Sequence, residues 1–145
     1  MSLRSFLIFS AVLMLAVLLA CTDPPVPPLV ATDVEVTQPL PGMNMSAGYL
    51  TLTNNSEQAI RITSVSSPQF GSIEIHKTVI ENEISSMRPV SELVVGAGDT
   101  LRLERGGLHL MMRQLDAHAN SITLNLYADE QLLLSLTTTL VPAGT

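Results

Sequence analysis

Two histidines and a methionine lie where strand alternation would turn them to a polar face, and a second methionine sits among polar neighbours. In Gly106-Gly107-Leu108-His109-Leu110-Met111-Met112, an extended backbone puts His109 and Met111 on one face and Leu108, Leu110 and Met112 on the other. In Ile73-Glu74-Ile75-His76 the isoleucines take one face and leave Glu74 and His76 on the opposite one. Met87, in Ile84-Ser85-Ser86-Met87-Arg88-Pro89-Val90, follows the turn residues Glu81-Asn82-Glu83, so a hairpin could carry it back beside His76. Imidazole nitrogen and thioether sulfur together form a soft ligand set that suits copper, and the thioethers favour Cu(I). Two imidazoles and two thioethers are all neutral, so a bound Cu(I) would keep its single positive charge.

Strands must position these groups, because alternation of apolar and polar residues recurs along the chain. It is present in Asp33-Val34-Glu35-Val36-Thr37, Tyr49-Leu50-Thr51-Leu52-Thr53, Ile60-Arg61-Ile62-Thr63, Leu101-Arg102-Leu103-Glu104 and Ile122-Thr123-Leu124-Asn125-Leu126. Turn signals separate them at Asn54-Asn55-Ser56, Ser66-Ser67-Pro68, Gly96-Ala97-Gly98-Asp99 and Gly106-Gly107. No stretch keeps a helical period with caps. Leu132-Leu133-Leu134-Ser135-Leu136 is followed by three threonines, which disfavour helix, and reads as a buried strand. The expected fold is all-β, a sandwich or barrel in one domain over residues 30–145. Tyr49, Phe70 and Tyr127 are the only aromatics after residue 20, so a stacking surface for bases or sugars is not expected.

The N-terminus carries a different message. Arg4 precedes an uncharged apolar run from Phe6 to Leu19, and Leu18-Leu19-Ala20-Cys21 closes it. This is the pattern of a secretory signal peptide over residues 1–20, too short for a typical membrane span. The last four residues resemble the bacterial lipobox, with lipidation expected on Cys21. Residues 21–29, rich in proline from Pro24 to Pro28, read as a semi-rigid linker between the lipid and the domain. The expected setting is the bacterial cell envelope, on a periplasm-facing lipoprotein, with Thr22 after the cysteine compatible with the outer membrane. Cys21 is the single cysteine, which excludes an intramolecular disulfide. Residues 22–145 hold six basic against thirteen acidic side chains, a formal charge of −7, which argues against nucleic acid as a partner.

In full, the candidate ligands follow H-x10-M-x21-H-x-M, from His76 through Met87 and His109 to Met111. That spacing, with Tyr49-Leu50-Thr51-Leu52-Thr53-Asn54 upstream, resembles the periplasmic copper chaperone family written PCu(A)C, over roughly residues 30–141. The resemblance implies a cupredoxin-like Greek-key β-sandwich that binds one Cu(I) through His76, Met87, His109 and Met111. It also implies delivery of copper to the binuclear centre of cytochrome oxidase. The implied partner is a copper-accepting protein, such as oxidase subunit II or another copper chaperone. Copper scavenging or storage in the envelope is the competing reading within copper binding, and a β-sandwich lipoprotein that only binds other proteins is the alternative outside it.

The remaining candidates divide between packing and chemistry. Met112 belongs with the core face, and His118 reads as a loop residue. Met43 and Met45, around Asn44, suit either packing or an auxiliary Cu(I) contact. Glu74 is a solvated charge or a group that orients His76. Catalysis is not expected: the chain lacks a nucleophile elbow, a phosphate loop and an H-E-x-x-H motif. Blue-copper electron transfer would need a cysteine thiolate beside two histidines, and Cys21 is assigned to the lipobox.

Overall fold

The computed structural model of the protein describes residues 24–115 and 121–143. The expected signal peptide over residues 1–20, Cys21 and His118 lie outside them. The described residues form eleven strands: β1 (Leu29–Thr37), β2 (Met45–Asn54), β3 (Ile60–Ile62), β4 (Ser64–Ser66), β5 (Phe70–Glu81), β6 (Ile84–Pro89), β7 (Leu93–Val95), β8 (Thr100–Leu103), β9 (Leu108–Gln114), β10 (Ser121–Ala128) and β11 (Gln131–Val141). Helix is absent among them, as the alternation predicts.

β2 is the strand the others are arranged around. Its burial alternates residue by residue, with Ser46, Gly48, Leu50, Leu52 and Asn54 inside and the residues between them half-exposed. That is period-two patterning carried through ten residues. β2 pairs with β1 on one side, and on the other with β9 through its first half and β8 through its second. The strand order runs β4-β10-β11-β1-β2-β9-β5-β6, so sequence neighbours are repeatedly separated by crossovers. β1 joins the two parts. A register shift between Thr32 and Glu35, with Asp33 at φ 52°, bends it so that its end pairs in parallel with β11 at Val36/Leu140 and Thr37/Val141.

The core lies between these layers. Leu50, Leu52, Leu103, Leu110, Met112 and Ile75 come from the β2–β9–β5 side. Ile122, Leu124 and Leu126 of β10 meet them, together with Ile62, Val65 and Val95. Each buried leucine or isoleucine contributes about 1.5–3 kcal/mol relative to exposure. Met112, at 0% exposure, is the core residue its alternation predicts. β11 is a strand as expected, but it is half-buried rather than buried, and Leu132 is 51% exposed. It follows the turn at Asp129-Glu130 and packs partly buried against the core through Leu133, Leu134, Leu136 and Leu140.

Gly48 of β2 lies opposite Leu110 of β9 with little room for a side chain. A Cβ placed there would stand 3.0 Å from Met112 Sδ and 3.1 Å from Leu110 Cβ. Gly48→Ala is therefore expected to destabilise the fold by about 1–3 kcal/mol through overpacking. Urea denaturation would check this; a midpoint equal to that of the unsubstituted protein would contradict the close packing.

The end of the proline-rich stretch is tied down more firmly than its composition suggests. The Asn55 amide N–H donates to the Pro28 carbonyl (2.8 Å) and its side-chain Nδ2 to the Pro27 carbonyl (3.0 Å). Leu29, directly after, is already in the core.

Candidate metal centre

β9 pairs antiparallel with β5, and His76 lies directly opposite His109. One step along, Met111 lies opposite Glu74. On its other edge β5 pairs with β6 across a two-residue turn, Asn82 and Glu83, both at positive φ (51° and 66°). This is the backbone a type I′ hairpin needs, and asparagine tolerates it better than most residues. The turn sets Met87 opposite Thr78, with Pro89 opposite His76. Met87 is thus the diagonal neighbour of His76 rather than its direct partner. Opposed residues on paired strands share a face, so His76, Met87, His109 and Met111 all lie on one face of the sheet.

That face is not uniformly exposed. Met87, on the edge strand, is 57% exposed and Met111 is half-buried, whereas His109 is only 3% exposed. The alternation predicts the face of His109 correctly but gives no sign of this burial. Leu108, on its other side, is less buried than the histidine.

Hydrogen bonds determine which nitrogen of each imidazole is available. His109 Nδ1 lies 3.1 Å from the Gly107 carbonyl, which can only accept, so Nδ1 carries the proton and Nε2 the lone pair. His76 Nε2 lies 2.9 Å from Glu74 Oε2, so in the neutral ring Nε2–H donates to the carboxylate and Nδ1 carries the lone pair. These two lone-pair nitrogens, His76 Nδ1 and His109 Nε2, are both buried and have no hydrogen-bond partner among the described residues. An unsatisfied buried acceptor costs about 1–3 kcal/mol. The rings are 6.1 Å apart between centroids at an interplanar angle of 62°. Two imidazoles, each oriented by its own acceptor and, in the neutral form, each with an idle nitrogen, fit a cation held between them.

The turn before β9 supports this arrangement. Gly106 takes φ +77°, which lets the chain reverse, and the Gly107 carbonyl then accepts both from the Thr78 amide (3.0 Å) and from His109. Arg105 lies 4.7 Å above the Tyr49 ring and bonds Glu35 at 2.7 Å. The Glu35 hydrogen bond raises the already high pKa of Arg105, so the clamp stays charged.

Glu74 is a solvated charge, its side chain 63% exposed, and it also bonds His76. Among the described residues no group of three or more His, Cys, Asp or Glu side chains is placed to hold a metal. Met43 and Met45 separate. Met43 sits in the turn before β2, 60% exposed, whereas Met45 opens β2 half-buried and lines a cavity of about 370 Å³ shared with Met111, Tyr49 and Arg105. Sequence reading missed Asn54 as a structural residue. It is fully buried, its Nδ2 donating to the carbonyls of Gln58, Val95 and Gly96 and its Oδ1 accepting from Ser56.

Comparison with solved structures defines the class: this is the cupredoxin-like β-sandwich of PCuAC domains. The apo PCuAC domain of PmoF2 superposes with a TM-score of 0.66 at 13% identity, covering 83% of this chain and 95% of that one. Cu(I)-bound DR1885 from Deinococcus radiodurans matches with a TM-score of 0.62 at 26% identity, covering 87% and 85%. Apo-DR1885 matches with a TM-score of 0.60 at 25% identity, covering 86% and 91%. The chain belongs to the LpqE-like family, whose model, described as that of an LpqE-like lipoprotein, matches residues 29–127. No curated protein sequence matches it.

Proposed function

We propose that the protein is a Cu(I) carrier of the bacterial cell envelope, holding one Cu(I) through His76, Met87, His109 and Met111. The observation that carries this reading is the pair of buried, partnerless imidazole nitrogens, with two thioethers on the same face of the sheet. DR1885, at 26% identity over most of both chains, has been solved with Cu(I) bound, which supports the metal. Neutral imidazole and thioether ligands hold Cu(I) without neutralising it, and no cysteine stands among them, so the set suits carriage rather than electron transfer.

The graded burial suits transfer as well. His109 fixes the inner end of the site and Met87 stands exposed at the sheet edge, where a copper-accepting protein could displace its thioether first. Delivery to the binuclear centre of cytochrome oxidase is the reading we favour for the acceptor, with subunit II or another copper chaperone as the partner. Storage in the envelope is the competing role. A signal peptide over residues 1–20, a lipid on Cys21 and a linker over residues 21–29 would tether the domain to a membrane, and the LpqE-like lipoprotein description favours that tether.

Competition with a chromophoric Cu(I) chelator under anaerobic conditions tests the ligand set. One Cu(I) per chain is expected, with affinity reduced in both Met87→Ala and Met111→Ala; affinities unchanged in both variants would remove the thioethers from the site. Glu74→Gln is expected to weaken Cu(I) binding by about tenfold, because a carboxylate that accepts from a ligating imidazole orients it and raises its basicity. The same titration checks this, and equal affinity would make Glu74 a surface charge only.

A further inference from the structure

The four ligands are part of a longer line of soft side chains. β2 pairs with β9 at Ala47/Met111 and Met45/Arg113, β9 with β5 at Met111/Glu74 and His109/His76, and β5 with β6 at His76/Pro89 and Thr78/Met87. Met45, Met111, His76 and Met87 therefore follow one diagonal. Each lies one strand over and two residues along from the last, all on the same face. Diagonal neighbours are about 7–8 Å apart at the backbone, within reach of long side chains. Met45 and Met111 also line the same open cavity of about 370 Å³, whose other walls include Thr37, Leu40, Tyr49 and Arg105. Met111 thus faces the histidine pair on one side and Met45 on the other.

We propose that Met45 is a further copper-handling ligand, forming with Met111 a two-thioether station in this cavity through which Cu(I) enters or leaves the histidine pair. The inference rests on the Cu(I) reading of the site above. Copper moves as Cu(I) throughout. A bond from Met45 Sδ to copper forms as the bonds to Met87 and then to the two imidazole nitrogens break, Met111 stays bound, and no electron or proton is transferred. Met45 lies outside the H-x10-M-x21-H-x-M spacing, so it adds a route and not a fifth permanent ligand. Arg105, held by Glu35 on the cavity wall, disfavours a second resident cation and keeps the station transient.

Methyl-labelled methionine NMR with anaerobically supplied Cu(I) tests the station directly, together with stopped-flow transfer of bound Cu(I) to a chelator. In the unsubstituted protein the Met45 methyl signal is expected to shift or broaden on addition of Cu(I), while that of Met43 stays in place. Met45→Leu keeps size and apolarity and is expected to retain one Cu(I) at unchanged affinity. Transfer should slow about tenfold, equivalent to roughly 1.4 kcal/mol on the exchange barrier. Met43→Leu should transfer at the original rate. An unmoved Met45 signal with unchanged transfer in Met45→Leu overturns the station and leaves the four-ligand site intact. Failure of the unsubstituted protein to take up Cu(I) overturns both.

Discussion

Replacing His109 by alanine is expected to lower Cu(I) affinity by at least about a hundredfold while leaving the copper-free protein folded. Four-ligand structural sites hold zinc with apparent free energies on the order of 10–16 kcal/mol, about 3 kcal/mol per ligand, and 2.7 kcal/mol is a hundredfold. His109 is the most buried of the four and has its tautomer set by the Gly107 carbonyl, so no water-facing side chain can take its place. The substitution also removes a buried acceptor that lacks a partner in the copper-free state, which offsets part of the lost packing. The readout is thermal unfolding with and without Cu(I). The unsubstituted protein should gain stability as Cu(I) rises above its dissociation constant, and His109→Ala should not. An equal copper-induced rise in Tm in both proteins would take His109 out of the site.

The second large effect falls on the fold and spares the site. Asn54→Ala is expected to destabilise the protein by about 2–4 kcal/mol, because it strips partners from several part-buried backbone groups at once. The Asn54 side chain joins the end of β2 to the turn at Ser56–Gln58 and to the end of β7, through the Val95 and Gly96 carbonyls. It sits at the far end of β2 from Met45 and on the core side of the sheet, so Cu(I) affinity of the folded protein should not change. Chemical denaturation measures the loss; a cost below about half a kcal/mol, the usual size of a surface change, would contradict the network.

These two residues show where local pattern is informative and where it stops. Period-two alternation assigns His76, His109 and Met111 to the face on which strand pairing places them, because face depends only on the strand's own sequence. Burial of His109 depends on what is packed against it. Its β5 partner His76 lies more than thirty residues away in the chain, so alternation carries no trace of it. Met87 depends on a single residue of turn length. With the two-residue turn Asn82-Glu83 it faces Thr78 and joins the histidine face, whereas one extra turn residue would place it opposite Lys77 on the other face. Asn54 reads as the start of a polar turn, and in the structure it closes β2 just ahead of one. Its second role, as a buried donor to three carbonyls, needs β7 beside it, and Leu93-Val94-Val95 was too short a run to announce a strand.

X-ray absorption at the copper K-edge, on the protein loaded anaerobically with one equivalent of Cu(I), tests the central claim most directly. The predicted first shell is two nitrogens and two sulfurs, falling to one sulfur in Met111→Ala. A shell of nitrogen and oxygen only, or copper that does not stay with the protein, would contradict a His76, Met87, His109, Met111 carrier site.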